Sequence, residues 1–260
     1  MSPATSSPAE RQKSHPALAK VPEITLLFWA IKIISTGVGE AFSDFLAHRY
    51  SPLAVAPFGV VLLVIALYVQ IRASAYNAWR YWGAVSAVAI TGTMLADGLH
   101  VKVGLSYTVT TAGCLILLAL VLSAWYRVEH TLSIHSIYTL RRELFYWATV
   151  ISTFALGTAA GDFTANTLHL GFLASGFLFL GLFALPGLAY RFLKWSEVFC
   201  FWFAYIMTRP LGASFADYLG VSKERGGIAI GTGIVSLVGA VLIVILVAVV
   251  DRRERAAGHQ

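Results

Sequence analysis

The sequence is short of charged residues. Asp, Glu, Lys and Arg make up 12% of its 260 residues, whereas hydrophobic residues make up 58% and the mean hydropathy is +0.73. A soluble domain is typically about 25% charged, so too little polar surface remains to keep this chain in water. The composition therefore predicts an integral membrane protein. It excludes a soluble enzyme, a nucleic-acid-binding protein and a disordered scaffold.

Cysteine is also scarce, and the sequence motifs of common enzyme families are missing. Cys114 and Cys200 are the two cysteines, and both fall inside apolar stretches without CxxC or metal-binding spacing. We interpret them as packing residues. The chain contains no GxGxxG, GxxxxGK[ST], HExxH or GxSxG sequence. We therefore expect neither an enzymatic activity nor a bound cofactor.

What the sequence does contain is one pattern repeated four times, [FY]-W-x9-G-x3-small-D. The tryptophans of the four copies are Trp29, Trp82, Trp147 and Trp202. The glycines are Gly39, Gly92, Gly157 and Gly212. The aspartates are Asp44, Asp97, Asp162 and Asp217. A match in all four copies indicates a repeat architecture.

Each copy contains two apolar runs, and each run is near the twenty or so residues that a helix needs to cross a bilayer. The sequence thus predicts an all-α integral membrane protein with eight transmembrane helices. These form four parallel two-helix repeats that are pseudo-symmetric about the membrane normal. The predicted repeats span residues 22–71, 79–126, 142–190 and 195–250. Residues 1–21 are expected to form a disordered cytoplasmic tail and residues 252–260 a second cytoplasmic tail.

The distribution of Lys and Arg predicts the orientation. Thirteen of them lie in the tails and in the linkers between repeats. Only four, Arg49, Lys102, Lys223 and Arg225, lie in the loops inside repeats. By the positive-inside rule, both termini are cytoplasmic. This distribution also accounts for the net charge of +6 without a nucleic-acid partner.

The repeated tryptophans give the chain a family resemblance. Over about residues 21–251, the sequence resembles bacterial membrane proteins built from four tandem two-helix repeats of unknown function, often called uncharacterised membrane-anchored proteins. Trp29, Trp82, Trp147 and Trp202 carry this resemblance. It implies eight helices and a bacterial inner membrane, and it implies no activity.

The repeated positions share one face of the first helix of each repeat. At 100° per residue, Trp, Gly, the small residue and Asp fall within an arc of about 140°. The Gly and the small residue four positions later let helices approach closely. We therefore interpret the four glycines as packing residues, with a narrow point in a pathway as the alternative. The tryptophans are interpreted as anchors at the membrane interface, with ligand-stacking residues as the alternative.

Carboxylates on this face suggest a functional role. Each repeated Asp lies about 22 Å along its helix from the Trp. The four aspartates are either helix-end carboxylates in headgroup water or a ring that selects cations. Three deeper charges, Lys32, Glu40 and Arg209, fall in the same arc. Glu40 either neutralises Arg209 or Lys32 inside the protein, or belongs to a gate or a substrate site.

Two histidines are weak candidates for metal ligands. His48 follows Asp44 by four residues, and His100 follows Asp97 by three. Both spacings place an imidazole and a carboxylate on one helix face, as a metal site requires. Whether any metal binds stays open at this level.

These features favour two functions. The first is a transporter or channel-like protein for a small solute, most simply a cation, that passes along the acidic face. The alternative is a structural or accessory membrane protein whose repeats only pack. The expected partners are the lipid bilayer and a small cation, and the oligomeric state stays open.

The orientation can be tested by cysteine labelling. We expect single cysteines at positions near 49, 103, 166 and 223 to react with a membrane-impermeant reagent in intact cells, because the loops inside repeats face the periplasm. Protection of most of these sites would overturn the orientation.

Overall fold

The computed structural model describes residues 20–98, 100 and 103–258, and these residues form eight long helices and no strand. The expected tail over residues 1–21 lies almost wholly outside the described residues, and so does Lys102. The helices are α1 (Leu26–Arg49), α2 (Pro52–Arg72), α3 (Ala78–Asp97), α4 (Tyr107–Glu129), α5 (Leu140–Asp162), α6 (Gly171–Leu193), α7 (Glu197–Gly220) and α8 (Thr232–Ala256).

Local sequence signals fix where several helices begin. The side chains of Thr25, Asn77, Ser106 and Thr139 each accept a hydrogen bond from the backbone N–H three residues later. Such N-caps satisfy donors that have no partner within the helix. These caps start α1, α3, α4 and α5.

The last helix differs from the predicted apolar run. It begins at Thr232 rather than near residue 227, because Gly226 and Gly231 adopt positive φ and turn the chain. The backbone N–H groups of Ile228 and Ile230 donate to carbonyls near the end of α7. At its other end α8 continues to Ala256, so the expected tail is helical over residues 252–256.

The first helices of the four repeats form a closed inner ring. Helix α1 packs on α3, α3 on α5, α5 on α7, and α7 on α1. Each second helix packs outside this ring against the first helix of the next repeat: α2 on α3, α4 on α5, α6 on α7, and α8 on α1. The inner helices are therefore mostly enclosed by protein, whereas the outer helices expose long apolar faces.

The repeated glycines lie where adjacent inner helices touch. A Cβ atom built on Gly39 would lie 2.5 Å from the Cβ of Ala89, and one on Gly92 would lie 2.7 Å from the Cβ of Phe154. At Gly157 it would collide with the side chain of Arg209, and at Gly212 it would collide with Thr36. The residues that these added Cβ atoms would meet each lie seven positions after the Trp of their own repeat: Thr36, Ala89, Phe154 and Arg209. The small-residue pattern thus marks the helix contacts.

The aromatic pairs close one end of the ring. Each aromatic residue that precedes a Trp packs against the Trp of a neighbouring repeat, with ring centroids 5.5–6.1 Å apart. These contacts are Phe28–Trp82, Tyr81–Trp147, Tyr146–Trp202 and Phe201–Trp29. Because all four pairs meet at one end, the four inner helices run in the same direction.

Burial corrects the interpretation of the tryptophans as interface anchors. Trp82, Trp147 and Trp202 are 2–5% exposed, and Trp29 is partly buried against the same aromatic core. An interface anchor needs contact with lipid headgroups, whereas these rings contact other helices. The repeated Trp is therefore a packing residue of the aromatic layer.

Six of the described helices are long and apolar enough to cross a membrane: α1, α2, α4, α5, α6 and α8. Helices α3 and α7 fall outside this group, although they have 20 and 24 residues. Both are inner helices, and α7 carries Glu197, Arg209 and Asp217. A helix that is surrounded by other helices does not have to be uniformly apolar. Several helices that could each span a membrane are what a multi-pass membrane protein requires.

We expect Gly92→Leu to destabilise the protein by about 1–3 kcal/mol or to prevent folding, because the added side chain would enter the α3–α5 contact. Gly83→Leu on the same helix is the matched control, since a Cβ there would meet nothing within 4 Å. Thermal unfolding in detergent measures both variants. Equal melting temperatures for the two variants would contradict the close contact at Gly92.

Candidate functional site

The repeated aspartates of the inner helices lie at the end opposite the aromatic layer. Because the inner helices are parallel, the aspartates near their C-terminal ends converge. Asp217 interacts electrostatically with the other three, Asp44, Asp97 and Asp162, and also with Glu40. Asp217 is buried and the other three are half-buried. The four aspartates are therefore close enough to influence one another electrostatically.

Below the aspartates, Arg209 is fully buried and joins all four inner helices. Its guanidinium on α7 donates to the Glu40 carboxylate at 2.7 Å and to the Thr36 carbonyl at 2.8 Å, both on α1. It also donates to the hydroxyls of Thr93 on α3 and Thr158 on α5. Of the two predicted pairings of Glu40, the structure forms the one with Arg209.

The sequence interpretation missed the threonines, although the repeat contained a signal for them. Glu40 follows Trp29 by eleven residues, and Thr93 and Thr158 follow Trp82 and Trp147 by the same eleven. Equivalent repeat positions lie at the same height in a ring of parallel helices. A comparison of all polar residues by repeat position, rather than of charged residues alone, would have placed both hydroxyls beside Glu40.

Three of the carboxylates approach one another closely. One oxygen each from Glu40, Asp44 and Asp97 lies within 4.8 Å of the other two. Glu40 is one helical turn below Asp44, and Asp97 comes from the neighbouring inner helix α3. Carboxylate oxygens are the ligands that Mg²⁺, Ca²⁺ and Mn²⁺ prefer. We call these three residues the carboxylate cluster.

Carboxyl groups outnumber cationic side chains around this cluster. Five interacting carboxylates, Glu40 and the four repeated aspartates, face two buried cationic side chains, Lys32 and Arg209. Arg225, from the short helical turn Lys223–Arg225, interacts with Asp44 at the outer end of the group. Uncompensated charge is costly in a low-dielectric interior. The arrangement is therefore suited to bind cations or protons.

Lys32 lies deeper than the cluster and forms no ion pair with Glu40. Its ammonium nitrogen lies 4.1 Å from the ring centroid of Phe154 and 4.2 Å from that of Tyr205. Within the described part of the chain this nitrogen has no hydrogen-bond partner. The predicted alternative pairing of Glu40 with Lys32 is therefore not formed.

The two candidate histidines contact backbone carbonyls. The Nδ1 atom of His48 lies 2.7 Å from the carbonyl of Asp44, and that of His100 lies 2.7 Å from the carbonyl of Leu105. The ring of His100 also stacks on Tyr107. Neither histidine belongs to the carboxylate cluster. In this structure the two histidines contact groups at helix ends and in loops. The sequence spacing alone does not distinguish a histidine that bonds to a backbone carbonyl from one that binds a metal.

Comparison with known proteins identifies the repeat. The model of a repeat of unknown function, DUF347, matches four successive segments of the chain, residues 27–76, 80–131, 145–194 and 200–256. Each segment contains one complete aromatic-Trp pair, one repeated Asp, most of the first helix of its repeat and the second helix. No curated protein and no solved structure matches the chain.

We expect Glu40→Gln to lower the free energy of unfolding by about 3–5 kcal/mol, because it leaves the buried Arg209 guanidinium without a charge partner. The melting temperature of the purified protein measures this effect. Adding Arg209→Met to Glu40→Gln removes the unpaired charge and should recover part of the loss. Glu23→Gln, at an exposed carboxylate, should leave the melting temperature unchanged. If Glu40→Gln melted like the wild type, the ion pair would not support the fold.

Proposed function

The chain belongs to the family of the DUF347 repeat, whose description states no activity. From the geometry of the carboxylate cluster, we propose that the protein transports a small cation across the membrane. The substrate class that fits best is a divalent cation that prefers oxygen ligands. The carboxylate cluster of Glu40, Asp44 and Asp97 binds it, and Asp162 and Asp217 complete an acidic entrance.

The observation that carries this proposal is the excess of carboxylates over cations inside the ring of inner helices. Packing alone does not require an Asp at the same position of all four repeats, since an Asn would fit the same space without the cost of a charge. A bound cation offsets the repulsion among Glu40, Asp44 and Asp97. Rings of acidic side chains are a known means of cation selection.

The membrane arrangement belongs to the same proposal. All eight helices cross the bilayer, because α3 with 20 residues spans about 30 Å at 1.5 Å per residue and α7 is longer. The chain lies in a bacterial inner membrane with both termini in the cytoplasm. The cyclic contacts of the four glycines favour a pseudo-fourfold axis along the membrane normal, so the aspartates face the periplasm.

The aromatic layer favours a transporter over an open channel. The rings of the four aromatic-Trp pairs pack against one another and leave the acidic end as the accessible one. Movement of a cation through the protein then requires the inner helices to separate at the aromatic layer. The same tight packing also supports the second candidate function, a structural or accessory membrane protein in which the repeats only pack.

The decisive experiment compares cation flux with folding. We expect replacement of Asp44, Asp97, Asp162 and Asp217 by Asn to abolish flux into proteoliposomes, since Asn keeps the volume and hydrogen bonding of Asp but removes its charge. Flux of radiolabelled divalent and monovalent cations is measured beside the melting temperature. The double variant Asp44→Asn/Asp97→Asn should show the same loss, because it removes two of the three cluster carboxylates.

Glu197→Gln is the matched control, since this carboxylate is exposed at the start of α7. It should transport like the wild type. If the fourfold Asn variant folds and retains full flux, or if the wild type transports no cation, the cation path is wrong and the structural role is favoured.

A further inference from the structure

The linker between α4 and α5, residues 130–139, packs on the aromatic end of the inner ring. Ile137 is 0% exposed and Ile134 is 5% exposed, and both belong to the hydrophobic cluster that contains the aromatic-Trp pairs. Val21, in the segment that precedes α1, is buried in the same cluster. A linker that only joined two helices would run exposed over the surface. We call residues 130–139 the strap and residues 20–25 the entry segment.

Hydrogen bonds connect the strap to three of the four inner helices. The indole N–H of Trp202 on α7 donates to the strap carbonyl of Leu132 at 2.9 Å, and the guanidinium of Arg142 on α5 donates to that of Ser136 at 3.0 Å. The entry segment leads into α1, and the backbone N–H of Lys20 donates to a third strap carbonyl at 3.2 Å. The strap therefore bridges α5, α7 and the start of α1.

A largely buried ion pair fastens the entry segment to α5. The Nζ atom of Lys20 lies 2.7 Å from a carboxylate oxygen of Glu143, and the two side chains are 13% and 1% exposed. The same ammonium donates to the carbonyl of Ile71 at the end of α2, and the side-chain amide of Gln70 donates to both the Lys20 carbonyl and the Glu143 carboxylate. Loss of one partner would leave the other charge uncompensated in a buried place. We call the Lys20–Glu143 pair the latch.

We propose, on the basis of the proposed cation transport, that the strap and the entry segment form a gate over the aromatic end, which the latch holds closed. Helices α1 and α5 lie on opposite sides of the inner ring, because each packs on α3 and on α7. The latch therefore ties the start of α1 to α5 across the ring. Since the strap continues directly into α5, separation of the helices must break its bond to Trp202, its bond to the entry segment and the latch.

The test measures how fast a cysteine at position 137 reacts with a maleimide in the purified full-length protein in lipid nanodiscs. Ile137→Cys in a Cys200→Ala background is protected while the gate is closed, because this position is 0% exposed. We expect Lys20→Met and Glu143→Gln each to raise the reaction rate about tenfold, since the opening equilibrium controls the labelling of a buried group. Lys20→Arg keeps the charge and should react like the parent protein. Cys114, buried in α4, reports global unfolding in the same sample.

A second measurement separates a gate from a strap that only packs. We expect saturating Mn²⁺ to raise the reaction rate of the Ile137→Cys protein, because a cation that favours opening at the aromatic end must also shift the equilibrium of the strap. Adding Asp44→Asn and Asp97→Asn removes two carboxylates of the cluster and should abolish this response. A strap that only packs would react at the same rate with and without Mn²⁺.

Lys194→Met is the matched control, since Lys194 is exposed in the linker between α6 and α7, and it should leave the reaction rate unchanged. If folded Lys20→Met and Glu143→Gln react like the parent protein, the latch does not hold the strap and the inference is wrong. If the wild type transports cations but Mn²⁺ does not change the labelling, the strap is no gate, while the proposed function stands. If the wild type transports no cation, the proposed function is wrong and the gate fails with it.

Discussion

The hydrogen bonds of one buried guanidinium hold the centre of this protein together. Arg209 on α7 bonds to groups on α1, α3 and α5, so all four inner helices meet at a single side chain. A buried Arg is costly unless its charge is paired. Glu40 and the threonines supply partners for the charge and for the two terminal nitrogens of Arg209, while its Nε has no hydrogen-bond partner among the described residues. The side chain reaches these partners because Gly157 has no Cβ to obstruct its first carbons. The glycine and the ion pair therefore depend on each other.

The repeat separates packing positions from chemical positions. Gly recurs ten residues after every Trp, and each of these glycines meets the residue seven positions after a neighbouring Trp. That seventh residue differs in every copy: Thr36, Ala89, Phe154 and Arg209. The eleventh position also varies, with Glu40, Thr93, Thr158 and Ala213. A uniform set of contacts thus surrounds an asymmetric interior, which holds one strong ion pair where strict symmetry would require four mutually repelling arginines.

Much of this arrangement follows from the sequence, because a helical repeat fixes how far apart residues lie along the helix and which side of the helix they occupy. The helices, the inward face of the glycines and aspartates, and a buried pairing of Glu40 with either Arg209 or Lys32 were predictable from wheel angles and charge. The burial of the tryptophans was not, since a helical wheel does not distinguish a lipid-facing ring from one that packs on another helix. The carbonyl contacts of His48 and His100 depend on loop geometry, which has no periodic signal. The choice of Arg209 over Lys32 as the partner of Glu40 depends on the threonines that surround the guanidinium.

In the proposed transport, the contrast between the two ends of the inner ring sets how a cation moves through it. At one end the aromatic layer is buried and apolar, so opening it exposes ring surface and requires the separation of helices that the glycines hold in close contact. At the other end the carboxyl groups of Asp44, Asp97 and Asp162 are half-buried and interact electrostatically, and they repel one another when they are ionised. Repulsion at this end favours separation of the helices, and a cation among the carboxylates removes it. In the proposed transport, cation binding draws the acidic end together. Inner helices that tilt as rigid rods about the Arg209 contacts then separate at the aromatic end.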